Sequence, residues 1–250
     1  WDFNRNLTEA GSALLPAERQ QEVFHRYVLG LYELLERLTS AFPHVLFEGC
    51  SGGGGRFDPA MLYYSPQIWT SDDTDAVQRQ GIQYGTSFAY PASAMGAHVS
   101  AVPNHQTGRI TSMKLRGDVA LGGNFGYELD LSKLDEADTE VVRRQVELVK
   151  RVRKLTQTGV FTRLLSPFEG RYTAWQFVSE DASEALLCVY RKLVTPMEPP
   201  IRVRMYDLDE TATYVDDNGN RYSGAALNRY GTWIHLRGDF SSEVVHLKKV

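Results

Sequence analysis

Apolar residues recur at Val23, Tyr27, Leu31, Leu34, Leu35 and Leu38, the spacing of one face of a helix. The stretch opens at Pro16 and stops before Pro43, so it predicts a helix over residues 16 to 42, with proline in the first turn and none inside. Val45-Leu46-Phe47 is a short continuous apolar run, as in a strand buried on both faces. It ends in Glu48-Gly49-Cys50, and a glycine-rich turn follows. Pro59 to Tyr64 then reads as a short helix, Gln67 to Thr70 as a strand and Thr74 to Tyr84 as a helix. Met95 to Val99 and Asn124 to Leu129 read as further strands. Val142, Val146, Val149, Val152 and Leu155 mark a long amphipathic helix that starts at Asp135 or Thr139.

Strand, polar turn and helix in repetition predict βα units around a parallel sheet. The most reactive residues follow the strands, where a (β/α)₈ barrel carries its active site. After Gly159 the rhythm changes. Ala174–Phe177, Ala185–Leu193, Ile201–Leu208, Ala212–Val215, Thr232–Leu236 and Val244–Leu247 are short strand-like runs with no long helix between them. Asp216-Asp217-Asn218-Gly219-Asn220 is a hairpin signal, and the whole stretch predicts antiparallel β structure.

Composition narrows the function classes. The 250 residues are 42% hydrophobic and 23% charged, with a net charge of -4. This is globular composition, and a mildly acidic chain lacks the basic face that nucleic acid requires. No apolar run reaches the ~18 residues of a membrane span. Cys50 and Cys188 stand far apart, which suggests free thiols in a cytoplasmic protein rather than a disulfide scaffold. Trp1-Asp2-Phe3-Asn4 reads like the end of a strand already in progress, so residues are expected upstream. Activity is expected to need the strands they would supply. His98 and His105 have no third ligand at a metal-binding spacing, so no metal is expected.

Three segments carry the candidate chemistry: Trp1-Asp2-Phe3-Asn4-Arg5, Cys50-Ser51-Gly52-Gly53-Gly54-Gly55-Arg56-Phe57-Asp58 and Trp69-Thr70-Ser71-Asp72-Asp73-Thr74-Asp75. Asp2 and Asp72 lie two βα steps apart, which would bring both to one face of a barrel. Two carboxyl groups ~5–5.5 Å apart suit retaining glycoside hydrolysis, one attacking the anomeric carbon and the other moving the proton. Asp73, beside Asp72, would tend to raise the pKa of a proton-holding acid. Asn4 could donate to a sugar hydroxyl, and glycines 52 to 55 would let backbone N–H groups approach a ring closely. Asp73 and Asp75 read as caps or supporting acceptors, and Arg56 as either a loop anchor to Asp58 or a sugar contact. Tyr222, Tyr230 and Trp233 are expected in core packing or a domain contact rather than in a lectin-like platform.

These segments, in this order, resemble the bacterial-type α-galactosidases of glycoside hydrolase family 36. The resemblance continues through Pro103-Asn104-His105-Gln106-Thr107-Gly108-Arg109, Gly126-Tyr127-Glu128-Leu129-Asp130 and Tyr222-Ser223-Gly224-Ala225. It implies an α/β fold: the later part of a (β/α)₈ TIM barrel over residues 1–158, then an antiparallel β-sandwich domain over 159–250. It assigns Asp2 as nucleophile and Asp72 as general acid/base, with Trp1, Asn4, Cys50 and Gly53 around the sugar and Cys50 as a wall. It further implies hydrolysis of terminal α-galactosyl residues from melibiose and raffinose-type substrates, without a cofactor, by a homotetramer. The alternatives left open are an α-N-acetylgalactosaminidase or galactosyl transferase of the same fold, and a sugar-binding module without catalysis.

Overall fold

The computed structural model describes Asp2 and residues 8–250. The chain forms two units, residues 1–72 and 73–250. In the first, the predicted helix opens as a 3₁₀ turn over Ala17–Glu22 and continues as α1, Val23–Ala41. Of its apolar stripe Leu35 is buried, whereas Tyr27 and Leu34 stay exposed. Val45 and Leu46, expected in a doubly buried strand, are exposed and lie in no strand. The strand is instead the following pair, β1 (Glu48–Gly49), and among the described residues its neighbour is β2 (Gln67–Ile68), parallel to it. Among the described residues no second strand flanks the preceding run. Helix α2 (Pro59–Tyr64) connects the two strands. The Asp58 carboxylate starts it by accepting the Met61 N–H at 2.9 Å.

The second unit begins with α3 (Ala76–Thr86), β3 (Gly96–Ser100), α4 (Met113–Ala120), β4 (Asn124–Glu128) and α5 (Glu136–Thr158). Strands β3 and β4 pair in parallel over five residues. Helix α4 is missing from the hydrophobic pattern because it buries charge. Arg116 donates to the Ser100 carbonyl at 2.6 Å, and Asp118 accepts from the Ser242 hydroxyl at 2.6 Å. Satisfied in this way, buried polar groups cost little, but they erase the apolar stripe. Asp135 caps α5 by accepting the Asp138 N–H at 2.7 Å.

After α5 come β5 (Val160–Leu165), β6 (Tyr172–Val178), β7 (Glu184–Arg191), β8 (Ile201–Val203), β9 (Thr213–Asp216), β10 (Arg221–Ser223), α6 (Gly224–Arg229), β11 (Thr232–Ile234) and β12 (Ser241–Lys249). Six of these strands form one antiparallel sheet in the order β10-β9-β12-β7-β6-β5, and β8 pairs antiparallel with β11 as a separate ribbon. The register between β5 and β6 shifts between Arg163 and Leu165. The sheet is buried on both faces. Trp175, Phe177, Leu186 and Tyr190 pack with Leu115, Val119, Val152 and Leu155 of the helices. Ala174, Val178, Leu187 and Val189 pack with Val203, Met205, Leu227 and Ile234 on the ribbon side. Each large apolar side chain enclosed this way contributes roughly 1.5–3 kcal/mol.

Two expectations change here. The strand expected over Ile201–Leu208 ends at Val203. Beyond it the Met205 N–H donates to Leu227 O and the Tyr206 N–H to Gln176 Oε1, while Asp207 takes a left-handed φ of 63°. Those bonds replace a ladder. Tyr222 packs against the core as expected. Of the two places expected for Tyr230 and Trp233, the core is excluded, because they are 67% and 54% exposed. Trp233 sits opposite Arg202 on the outer side of the ribbon, with the guanidinium 4.5 Å from its ring centre. No helix among the described residues is long and apolar enough to cross a membrane.

Candidate active site

Residues 50–55 leave the C-terminal end of β1, and residues 69–72 leave that of its parallel neighbour β2. Four consecutive residues of the first segment have left-handed backbone: Ser51 at φ 92°, Gly52 at 60°, Gly53 at 74° and Gly54 at 97°. Glycine reaches these angles without strain. Ser51 does so as a side-chain-bearing residue, and strain of that kind collects at functional loops. The Gly55 N–H closes the loop onto Ser51 O at 2.9 Å.

This loop touches both candidate carboxylate residues. The Ser51 N–H donates to Asp2 Oδ1 at 3.0 Å, fixing one carboxylate oxygen against the backbone. A Cβ placed on Gly53 would stand 2.6 Å from the backbone nitrogen of Asp72 and 2.8 Å from Ser71 Cα, distances that real Cβ atoms do not adopt. Gly53 is therefore required on two counts, its dihedral angles and the closeness of the Asp72 backbone. Asp2 and Asp72 are both exposed. Cys50 is a half-buried free thiol at the start of the loop. Asp58 serves as the cap of α2, and Arg56 is half-buried. Trp1 and Asn4, the other two expected sugar contacts, lie outside the described residues.

In the second unit, Asp73 and Asp75 act as the turn and capping acceptors expected of them. Asp73 Oδ1 accepts the Asp75 N–H at 2.9 Å, and Asp75 Oδ1 accepts the Val77 N–H at 2.8 Å at the start of α3. Asp75 Oδ2 also accepts from the Thr107 hydroxyl at 2.5 Å and from Arg109. Asn104 donates to Thr74 Oγ1 at 3.0 Å, and the Ser100 hydroxyl donates to Thr74 O at 2.9 Å. Periodicity along the chain gives no sign of this convergence on residues 74 and 75. A trace of it is the Asn104-x-x-Thr107 spacing, in which Asn104 Oδ1 accepts the N–H groups of Gln106 and Thr107 at 3.0 Å each. Burial pulls the neighbouring Arg79 down to about 10, against the pull of Asp73 and Glu128.

Among the described residues no three His, Cys, Asp or Glu side chains gather where they could hold a metal ion. His98 Nδ1 lies 3.3 Å from Glu128 Oε2. Cys188 is a free thiol enclosed by the sheet core, and burial pushes it up to about 12.

Comparison with known proteins bears on the chain from end to end. A family profile described as Melibiase matches residues 1–159, and one described as the glycosyl hydrolase family 36 C-terminal domain matches residues 172–247. The chain is 56% identical over 251 residues to alpha-galactosidase AgaA of Geobacillus stearothermophilus, covering all of this chain and 34% of that protein. It is 50% identical over 253 residues to alpha-galactosidase 1 of Pediococcus pentosaceus, again over 100% of this chain and 34% of the other. The crystal structure of AgaA superposes with a TM-score of 0.97 at 55% identity, over 100% of this chain and 35% of that one. The chain thus spans about a third of the length of the curated relatives it matches. Matched over well more than half its residues by the first profile and over most of the rest by the second, the chain belongs to the melibiase family, glycosyl hydrolase family 36.

Proposed function

We propose that this chain carries the catalytic carboxylates of a retaining α-galactosidase, with Asp2 as nucleophile and Asp72 as general acid/base. The observation that carries this reading is the 51–55 loop. One of its amides holds the Asp2 carboxylate, and its Gly53 lies against the Asp72 backbone, so a single rigid turn serves both residues. A relative supplies independent support. AgaA variants with one aspartate replaced were crystallised with raffinose and with stachyose, and the two replaced aspartates stand 70 positions apart, as Asp2 and Asp72 do here. The substrates proposed for the whole protein are accordingly terminal α-galactosides of the raffinose type and melibiose.

In this mechanism the Asp2 carboxylate attacks the anomeric carbon while the Asp72 carboxyl protonates the departing oxygen. Asp72 as carboxylate then takes a proton from water as water displaces Asp2. Cys50 and Gly53, with Trp1 and Asn4, are assigned to the galactose pocket. The parallel pairs β1–β2 and β3–β4 are proposed as the later part of a (β/α)₈ barrel. A catalytic barrel over residues 1–158 and a β-sandwich domain over 159–250 accord with the spans of the two family profiles. A cytoplasmic homotetramer is the proposed working form. Trapping the full-length protein with a 2-fluoro galactosyl donor, followed by peptide mass spectrometry, tests the central assignment. The expected label is on Asp2, and a label on any other residue overturns it.

A further inference from the structure

A cleft of about 220 Å³ opens in the second unit, far along the chain from the catalytic segments. It exists because β9 pairs with β12 over Leu247–Lys249, leaving Ser241 to His246 without a neighbour on that side among the described residues. Asp217 and Asn218 of the hairpin turn line one side, Trp233 and His235 the other, and Glu243 and His246 of β12 lie between them. The volume is below the ~300–1,000 Å³ of pockets for drug-sized ligands, which suits one or two small rings.

The charges around the cleft are largely occupied. Asp216 accepts from the Asn218 and Asn220 N–H groups, the Asn220 amide and the Tyr222 hydroxyl. Asp217 pairs with Arg151 at 2.7 Å. Several polar groups nevertheless stand open. His246 is 3% exposed, and its Nε2 bonds Glu184 Oε1 at 2.6 Å. Its Nδ1 is buried without a hydrogen-bond partner, 3.5 Å from Asp217 Oδ1. The Asn218 amide, the His235 ring and the Glu243 carboxyl make no hydrogen bond within the described residues. Burial pushes the Glu243 carboxyl above its ordinary value, toward the neutral form. His246 Nδ1, at ion-pair distance from Asp217 but without a hydrogen bond, calls for an explanation, and a ligand in the cleft supplies one.

We propose that this cleft is a second carbohydrate-binding site, taking a galactosyl-bearing saccharide on residues other than those that hold the catalytic aspartates. A neutral ring bearing hydroxyls fits what is present. An exposed indole backed by Arg202 offers a flat apolar surface at the rim. Amide, imidazole and carboxyl groups offer both donors and acceptors. Ionic ligands fit less well, because the carboxylates of Asp216 and Asp217 are already engaged. The choice of sugar rests on the α-galactosidase reading; the existence of the site does not.

The test uses the full-length protein in native gels cast with soluble galactomannan, beside gels without it. The unmodified protein should be retarded by the polysaccharide. Trp233→Ala and Asn218→Ala should each weaken the apparent affinity about tenfold, as loss of a stacking or paired polar contact does. Turnover of a small aryl α-galactoside should stay unchanged in both. No retardation of the unmodified protein, or equal retardation of both variants, overturns the proposal. Since turnover is read separately, failure of the catalytic assignment is visible on its own. Both positions are exposed, on a turn and on the ribbon, so folding is not at stake.

Discussion

Helices α1 and α5 are both amphipathic, yet they fare differently. Within the described residues α1 buries Leu35 alone, while α5 encloses Gln145, Val152, Leu155 and Thr156. The strands show the same contrast. β1 and β2 have two residues each, whereas β6 and β7 run for seven and eight and are buried almost throughout. An apolar stripe determines what a helix can bury; the wall opposite determines whether it does. In residues 1–72 the shape of the candidate site comes from turn geometry, chiefly the left-handed run at 51–54. In residues 73–250 shape comes from a packed sheet. Chemistry and stability should therefore separate under mutation.

The largest effect is expected at Asp72, the proposed acid/base. In the full-length protein Asp72→Ala should slow substrates with poor leaving groups by about 10³-fold, within the range of general acid catalysis. Aryl galactosides with good leaving groups should suffer far less. Azide should rescue the variant and yield the α-galactosyl azide; equal losses on both substrates without rescue would move the role to another residue. Gly53→Ala comes next. Its Cβ would collide with the Asp72 backbone, and misplacing a reacting group by ~1 Å costs about 10²-fold in kcat. The melting of the sheet core, followed by near-ultraviolet circular dichroism, should not change. A variant that kept full activity would show that the loop does not position the site.

The reverse experiment lies in the sheet. Phe177→Ala, at 1% exposure between β5 and the helices, should destabilise the second unit by about 3–5 kcal/mol. The enzyme that remains folded should retain its kcat. Smallest of all is Leu29→Ala on the exposed side of α1, expected to stay within ~0.5 kcal/mol in this chain. A much larger loss would show that this face of α1 is covered after all.

What was legible in the chain follows the same division. The α2 boundaries, the start of α5 at one of the two expected positions, Asp135, and the hairpin at 216–220 are set by local chemistry, and reading them needed no neighbour. Tertiary context overrode pattern elsewhere. Val45 and Leu46 have the composition of a buried strand but meet no second flanking strand among the described residues. Arg116 and Asp118 conceal α4 because their partners, Ser100 and Ser242, are distant in sequence. Trp233 was expected in core packing or a domain contact, yet alternation along β11 turns Ile234 to the core and leaves its neighbour exposed. At the candidate site the motifs nominated Asp2, Asp72 and Gly53. The hold of Ser51 on Asp2 and the convergence of Asn104, Thr107 and Arg109 on residues 74 and 75 emerged only with the fold.

The two outer strands of the six-stranded sheet bear on how the protein keeps to itself. An outer strand with a straight, bare backbone invites the same strand of another molecule to continue the ladder. Here β10 has three residues, too few for much of a template, and β5 is interrupted between Arg163 and Leu165. Arg163 is also drawn off toward the Ser87 carbonyl at 2.9 Å and over the Phe88 ring at 4.1 Å. A charged, kinked margin on one side and a stub on the other stop the sheet at six strands. Each margin thus offers the matching strand of another molecule a poor template on which to extend the most hydrophobic layer of the fold.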